Sequence, residues 1–107
     1  YSQFGSAYRR AYAARKGGLL LLTKSLASAW VKEGIRVNAV APGVIATPMT
    51  TPLMKNEAAT RELTSRVPID RVGQPADVAG PVLFLCSPAA AYVTGVLLPV
   101  DGGMVAA

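Results

Sequence analysis

The 107-residue sequence contains no histidine and a single cysteine, Cys86. Zinc and copper sites are built chiefly from imidazole and thiolate ligands, so their usual constellations are excluded and no metal site is expected. A His-based catalytic triad within the chain is excluded as well. One cysteine cannot form an internal disulfide, and its place in an apolar helical pattern suggests a buried small hydrophobe rather than a nucleophile. A reducing, cytoplasmic setting is expected. Acidic residues are also scarce, six Asp/Glu against eleven Lys/Arg, for a net charge of +5. The basic residues are scattered from Arg9 to Arg71 without interleaved aromatics for base stacking, so a solvated basic surface and no nucleic-acid partner are expected. Long hydrophobic runs are missing too. The longest, residues 19–22, is interrupted by Lys24 far short of the ~20 residues that cross a bilayer, and no membrane association is expected. No signal-peptide pattern, internal repeat or low-complexity tract can be read in these residues. The first residue is Tyr1 rather than Met, which suggests a piece of something longer.

What is present is apolar material: 51% hydrophobic residues with a mean hydropathy of +0.35, enough for one domain that buries a core. The chain is organised around Tyr12 and Lys16. On a helix, residues four apart lie one above the other, with Cβ atoms roughly 5–6 Å apart. An ammonium within about 4–6 Å of a phenol favours the phenolate, so such a Tyr can give and take a proton. Taken alone, the spacing also describes an exposed Lys beside a core Tyr.

Residues 1–10 read as a loop. A helix follows over 11–32, with Leu19, Leu22, Leu26, Ala29 and Trp30 on one stripe and further apolar residues around it, so that it needs cover on most sides. Gly34 suits the left-handed stop beyond the last turn. Residues 35–41 read as a short strand of the kind buried in a parallel sheet, ended by Pro42-Gly43. In doubly wound sheets ligands lie beyond the carboxyl ends of strands, which makes residues 42–47 the place to meet a cofactor. Gly43 lets a backbone approach a flat ring closely. Thr47 before Pro48 equally suits an ordinary helix N-cap. Residues 48–66, with Met49, Leu53, Met54 and Leu63 among polar residues, read as a weakly helical substrate lid. A helix opens at Pro75 with Asp77 near its positive end and Val78, Val82, Leu83, Leu85 and Cys86 as its apolar side. Pro81 predicts a kink or a late helix start. Residues 96–100 form the last strand, with Pro99 demanding an edge, and Asp101-Gly102-Gly103 makes a sharp turn.

Six blocks in order, Tyr12-x-x-x-Lys16-Gly17, Gly34-Ile35-Arg36-Val37-Asn38, Pro42-Gly43-x-Ile45-x-Thr47, Arg71-Val72-Gly73-x-Pro75, Phe84-Leu85-x-Ser87 and Thr94-Gly95 with Val100-Asp101-Gly102-Gly103, resemble the short-chain dehydrogenase/reductase family in its ketoacyl-reductase-like branch. The resemblance covers about the second half of that family's domain. It implies an α/β fold, the C-terminal half of a doubly wound parallel-sheet Rossmann-type domain spanning residues 1–107. It implies an oxidoreductase that uses NAD or NADP to interconvert a small-molecule carbonyl and a secondary alcohol by hydride transfer. Tyr12 would donate or accept the proton and Lys16 would hold the nicotinamide ribose. Pro42, Gly43, Ile45 and Thr47 would meet the cofactor, Ile45 through its backbone and Thr47 through its hydroxyl at the carboxamide end. A homo-oligomer, dimer or tetramer, is implied through the 12–32 helix and the C-terminal helix and strand. The family's catalytic Ser would fall two residues before Tyr1. Neither a phosphate-binding glycine loop nor a residue choosing between NAD and NADP is present. The alternative is a truncated, catalytically silent remnant that serves only assembly.

Overall fold

The computed structural model describes the backbone of residues 3–48 and 50–106 and the side chains of residues 10–48, 50–52 and 54–105. The side chains of Met49 and Leu53, assigned to the lid, lie outside the described residues. Two compact units are present, Tyr1–Ala39 with Tyr92–Leu97 and Val40–Ala91 with Leu98–Ala107.

The first unit is built on helix α1, Gln3–Trp30. It starts well before residue 11, where the sequence predicts a loop. No proline stands in the way, and a glycine such as Gly5 costs only about 1 kcal/mol relative to Ala inside a helix. A 3-10 turn, Val31–Glu33, follows and Gly34 stops it with φ 79°, its N–H donating to the Val31 carbonyl at 3.1 Å. The covered stripe of α1 is not the leucine stripe. Thr23 and Ala27 are buried, and Tyr12, Lys16 and Leu20 are half-buried. These five positions recur at steps of three and four and therefore share one face. Leu21 and Leu22 remain 69% and 55% exposed. Small side chains win the inward face because they allow close approach: a Cβ added at Gly95 would stand 3.4 Å from Cβ of Ala27.

The strands are shorter than the sequence predicts. Strand β1 is Ala39–Pro42 and strand β2 is Leu97–Val100, and they form a two-stranded sheet. Ala39 N–H donates to the Val96 carbonyl at 2.9 Å and Gly43 N–H to Val100 at 3.0 Å, equal steps in one direction, so the pair is parallel. Upstream of β1 one backbone bond, Gly95 N–H to the Val37 carbonyl at 2.7 Å, is supplemented by side chains. Asn38 Nδ2 donates to the Val93 carbonyl at 3.0 Å and its Oδ1 accepts from Val96 N–H at 3.1 Å, while Val37 N–H donates to the Thr94 hydroxyl. Pro99 alternates with the residues whose carbonyls face β1, so its missing N–H points to the other edge of β2, where no partner is needed.

The second unit carries short helix α2, Thr51–Met54, then α3, Glu57–Thr64, and α4, Pro75–Cys86. Asn56 caps α3 by accepting from Ala58 and Ala59 N–H at 3.0 and 3.2 Å. Helix α4 runs from Pro75 through Pro81, so there is no late start. Its beginning is secured by Asp77, whose Oδ2 accepts Gln74 N–H at 2.7 Å. The inward face of α4 differs from the predicted one. Leu85 is buried and Val78 and Pro81 half-buried, whereas Val82, Leu83, Phe84 and Cys86 are exposed. Cys86 is thus not a core residue. Continuous hydrophobicity hides the period, and only one narrow stripe of this helix is covered within its unit. Ala41, Val67, Leu85 and Ala90 are the buried apolar residues of the unit among those described.

Candidate functional site

The candidate residues fall into two groups, one in each unit. In the first, α1 sets Tyr12 and Lys16 on successive turns of its covered stripe. The Tyr12 hydroxyl is buried and has no hydrogen-bond partner among the described residues. A buried hydroxyl left unpaired costs about 1–3 kcal/mol, so it is rare in a folded protein except where a ligand or a function accounts for it.

In the second unit the loop after β1 is clamped along its length. Gly43 abuts Asp101: a Cβ built there would lie 2.7 Å from Cβ and 2.8 Å from Cα of Asp101. Its missing side chain therefore makes room for the C-terminal turn. Ile45 forms a parallel bridge with Gly73, in which Gly73 N–H donates to the Val44 carbonyl and Ala46 N–H to the Gly73 carbonyl, both at 2.8 Å. In such a bridge the flanking peptides pair inward, so the N–H and C=O of Ile45 itself point to the opposite side. A backbone carboxamide partner needs that orientation. The Thr47 carbonyl accepts Thr50 and Thr51 N–H at 3.0 and 2.9 Å, and its Oγ1 accepts Thr50 N–H at 3.4 Å, so Thr47 also opens the α2 turn as an N-cap would. Pro42 is exposed at the end of β1.

The Arg71-Val72-Gly73 and Asp101-Gly102-Gly103 blocks converge on this loop around a cavity of about 280 Å³, lined by Val44, Ile45, Arg71, Asp77, Asp101 and Gly102 among others. Its charged members each have a partner. Arg71 Nη1 lies 2.9 Å from Asp77 Oδ2. That hydrogen bond, together with the one from Gln74 N–H, holds the Asp77 carboxyl below its ordinary range, and Asp77 in turn raises Arg71. Asp101 spends its carboxylate on the turn, accepting Gly103 N–H at 2.9 Å and Val105 N–H at 3.2 Å. Gly102 and Gly103 take φ of 62° and 92°, and a Cβ on Gly102 would lie 2.5 Å from Ile69 Cγ2. Sequence reasoning misses Gly73, Thr50 and Asp101 as supports of the loop. The glycine of Arg71-Val72-Gly73 is the one local signal, since a Cβ there would meet Ile45 Cδ1 at 2.6 Å.

Among the described residues no group of three or more His, Cys, Asp or Glu could hold a metal ion, and no helix is long and apolar enough to cross a membrane.

Residues 1–105 match the family described as enoyl-(acyl carrier protein) reductase. A tropinone reductase homologue of Arabidopsis thaliana is 50% identical over 93 residues, covering 87% of this chain and 30% of the relative. Galactitol 2-dehydrogenase (L-tagatose-forming) of Cereibacter sphaeroides is 45% identical over 101 residues, covering 94% and 38%. The chain therefore spans between 30% and 38% of the length of these two curated relatives. Among solved structures, a candidate 2-deoxy-D-gluconate 3-dehydrogenase of Agrobacterium tumefaciens with bound NADP is 46% identical, with a TM-score of 0.80 over 90% of this chain and 39% of the other. A 4-hydroxyisoleucine dehydrogenase complexed with NADH is 37% identical, with a TM-score of 0.83 over 92% and 40%. The six motif blocks, the parallel β1–β2 pair and these likenesses together make this α/β chain a member of the short-chain dehydrogenase/reductase family.

Proposed function

We propose that this chain is the catalytic, nicotinamide-facing part of an NAD(P)-dependent oxidoreductase that interconverts a small-molecule carbonyl and a secondary alcohol. The observation that carries the reading is the buried, unpartnered Tyr12 hydroxyl with Lys16 one turn on. A substrate oxygen is the group that such a hydroxyl lacks. Support comes also from the relatives, two of which hold NADP or NADH in their solved structures.

When bound, the nicotinamide would supply or accept the hydride. The chain's own residues do the rest. Tyr12 donates a proton to the carbonyl oxygen in reduction and accepts it from the alcohol in oxidation. Lys16 supplies a positive charge beside that phenol and a donor for the nicotinamide ribose. The outward peptide groups of Ile45 and the hydroxyl of Thr47 suit the carboxamide end, and Pro42 and Gly43 lead the chain into that loop. Residues 48–66, with helices α2 and α3, act as a cover over the substrate. Assembly into a homo-oligomer through α1 and the α4–β2 region belongs to the same reading, because Leu21, Leu22, Leu83 and Phe84 are all exposed in the isolated chain.

The test uses the intact protein with NADH or NADPH and a panel of ketones and aldehydes, followed by loss of cofactor absorbance. Tyr12→Phe is expected to lower kcat/KM by ~10²–10⁴ with the fold preserved, the usual contribution of general acid–base catalysis. A folded Phe variant that keeps most of its turnover contradicts the role.

A further inference from the structure

We propose that Thr50 is a positioning residue that holds the 45–47 loop in the shape needed to grip the carboxamide end of a nicotinamide cofactor; this rests on the reading of the preceding subsection. The Thr50 hydroxyl is the centre of a compact set of hydrogen bonds. It accepts the Thr47 N–H at 2.8 Å and donates to the Ile45 carbonyl at 2.8 Å. Its single proton has other candidates, the Thr47 carbonyl at 3.2 Å and Thr47 Oγ1 at 3.3 Å, but both are longer. Hydrogen-bond strength falls with distance, so the Ile45 carbonyl receives it.

One hydroxyl thereby ties residue 45 to residue 47 across Ala46. The opposite side of the same stretch is tied by the Gly73 peptide, which engages Val44 and Ala46. The loop is held from two sides. Thr50 is itself fixed by its own N–H, which donates to the Thr47 carbonyl at 3.0 Å. With the Thr50 proton spent on Ile45, the Thr47 hydroxyl proton has only the long 3.3 Å contact to Thr50 Oγ1 to compete with a ligand, and a carbonyl oxygen such as that of Ile45 retains a second lone pair. Both remain usable by a ligand. Valine at this position would match the shape of threonine but leave the Thr47 N–H and the Ile45 carbonyl without these partners. The loop would then have to be ordered at the moment of binding, which weakens the ligand that orders it.

The experiment compares two probes on the intact protein by fluorescence or calorimetric titration: NADH or NADPH, and ADP-ribose, which shares the dinucleotide's adenosine and pyrophosphate but lacks the nicotinamide. Two hydrogen bonds of ordinary strength correspond to an effect of about tenfold. Thr50→Val is expected to raise the Kd of the dinucleotide about tenfold while the Kd of ADP-ribose stays within about twofold. Thr50→Ser, which keeps the hydroxyl, is expected to restore the dinucleotide Kd to within about threefold of the parent. In turnover, the cofactor KM of Thr50→Val should rise by a larger factor than kcat falls. Equal weakening of both probes would mean general damage to the fold and would overturn the positioning role, as would an unchanged dinucleotide Kd or a Ser variant as weak as Val. An unsubstituted protein that binds the dinucleotide no more tightly than ADP-ribose would instead overturn the underlying reading of the 45–47 loop, and this inference with it.

Discussion

Replacing glycine by alanine should have opposite effects at Gly43 and Gly18. At Gly43 the added carbon would lie 2.7 Å from Cβ and 2.8 Å from Cα of Asp101. Ordinary carbon–carbon contact is about 3.5–4.0 Å, so one side must retreat by roughly 1 Å. The near atoms include backbone rather than a side-chain tip, and Asp101 is held by the N–H groups of Gly103 and Val105. Gly43 is fixed as well, through its N–H on the Val100 carbonyl at 3.0 Å. Overpacking of this kind costs about 1–3 kcal/mol. Loss of glycine freedom in the unfolded chain returns about 0.4–1 kcal/mol, for a net destabilisation of about 1–2 kcal/mol. Gly18 lies inside α1, exposed, with nothing within 4 Å of the added carbon. There the substitution should stabilise by about 0.5–1 kcal/mol. Urea unfolding of the intact protein, read by circular dichroism, gives both values from shifts of the midpoint at constant slope. A Gly43→Ala protein as stable as its parent, or a Gly18→Ala protein less stable, would refute the packing argument.

Asn38→Ala removes both ties to Val93 and Val96 and should destabilise by about 1–3 kcal/mol in the same urea assay; an effect within error would show that backbone pairing suffices there. Asp77 has a lowered pKa in the folded state, so its contribution is complete above the ordinary carboxylate range near ~4 and is lost as pH falls through the folded value. The stability gap between the parent and Asp77→Asn should accordingly close below about pH 4, and a gap independent of pH would contradict the Arg71 pairing. Leu21 and Leu83, each 69% exposed, should lie at the assembly surface. Replacing both by Lys is expected to lower the sedimentation mass of the intact protein to that of one chain, and an unchanged mass would remove that role from both helices.

The local features of this chain were legible in its sequence. Tyr12 and Lys16 share a face because four residues make about one helical turn, and Gly34 stops α1 in the left-handed conformation that favours glycine. The glycines of the C-terminal turn take positive φ for the same reason. The motif blocks identify the family because they combine such local demands in one order. Sequence left the inward face of α1 open, asking for cover on most sides, and misplaced part of the inward face of α4. The leucines of α1 and the apolar run of α4 outweigh their neighbours in hydropathy, yet the covered stripes pass through Thr23 and Ala27 on one helix and Val78, Pro81 and Leu85 on the other. Hydropathy measures what a side chain gains by burial, whereas the size of the neighbour decides which face can approach. Ala27 beside Gly95 is such a case. Supports of the candidate cofactor loop were invisible for a related reason. Gly73 and Asp101 are distant from residues 43–47 in sequence, and only the closed chain brings the Gly73 peptide against Val44 and Ala46 and Asp101 against Gly43. Thr50 is near in sequence, but its hydroxyl reaches Ile45 and Thr47 only once the chain has turned at Pro48. Sequence thus determined residue types, turn positions and the Tyr12–Lys16 spacing, which depend on neighbours along the chain. Tertiary structure decided register, the inward faces and the clamp on the loop, because those depend on which distant backbones can come within van der Waals contact.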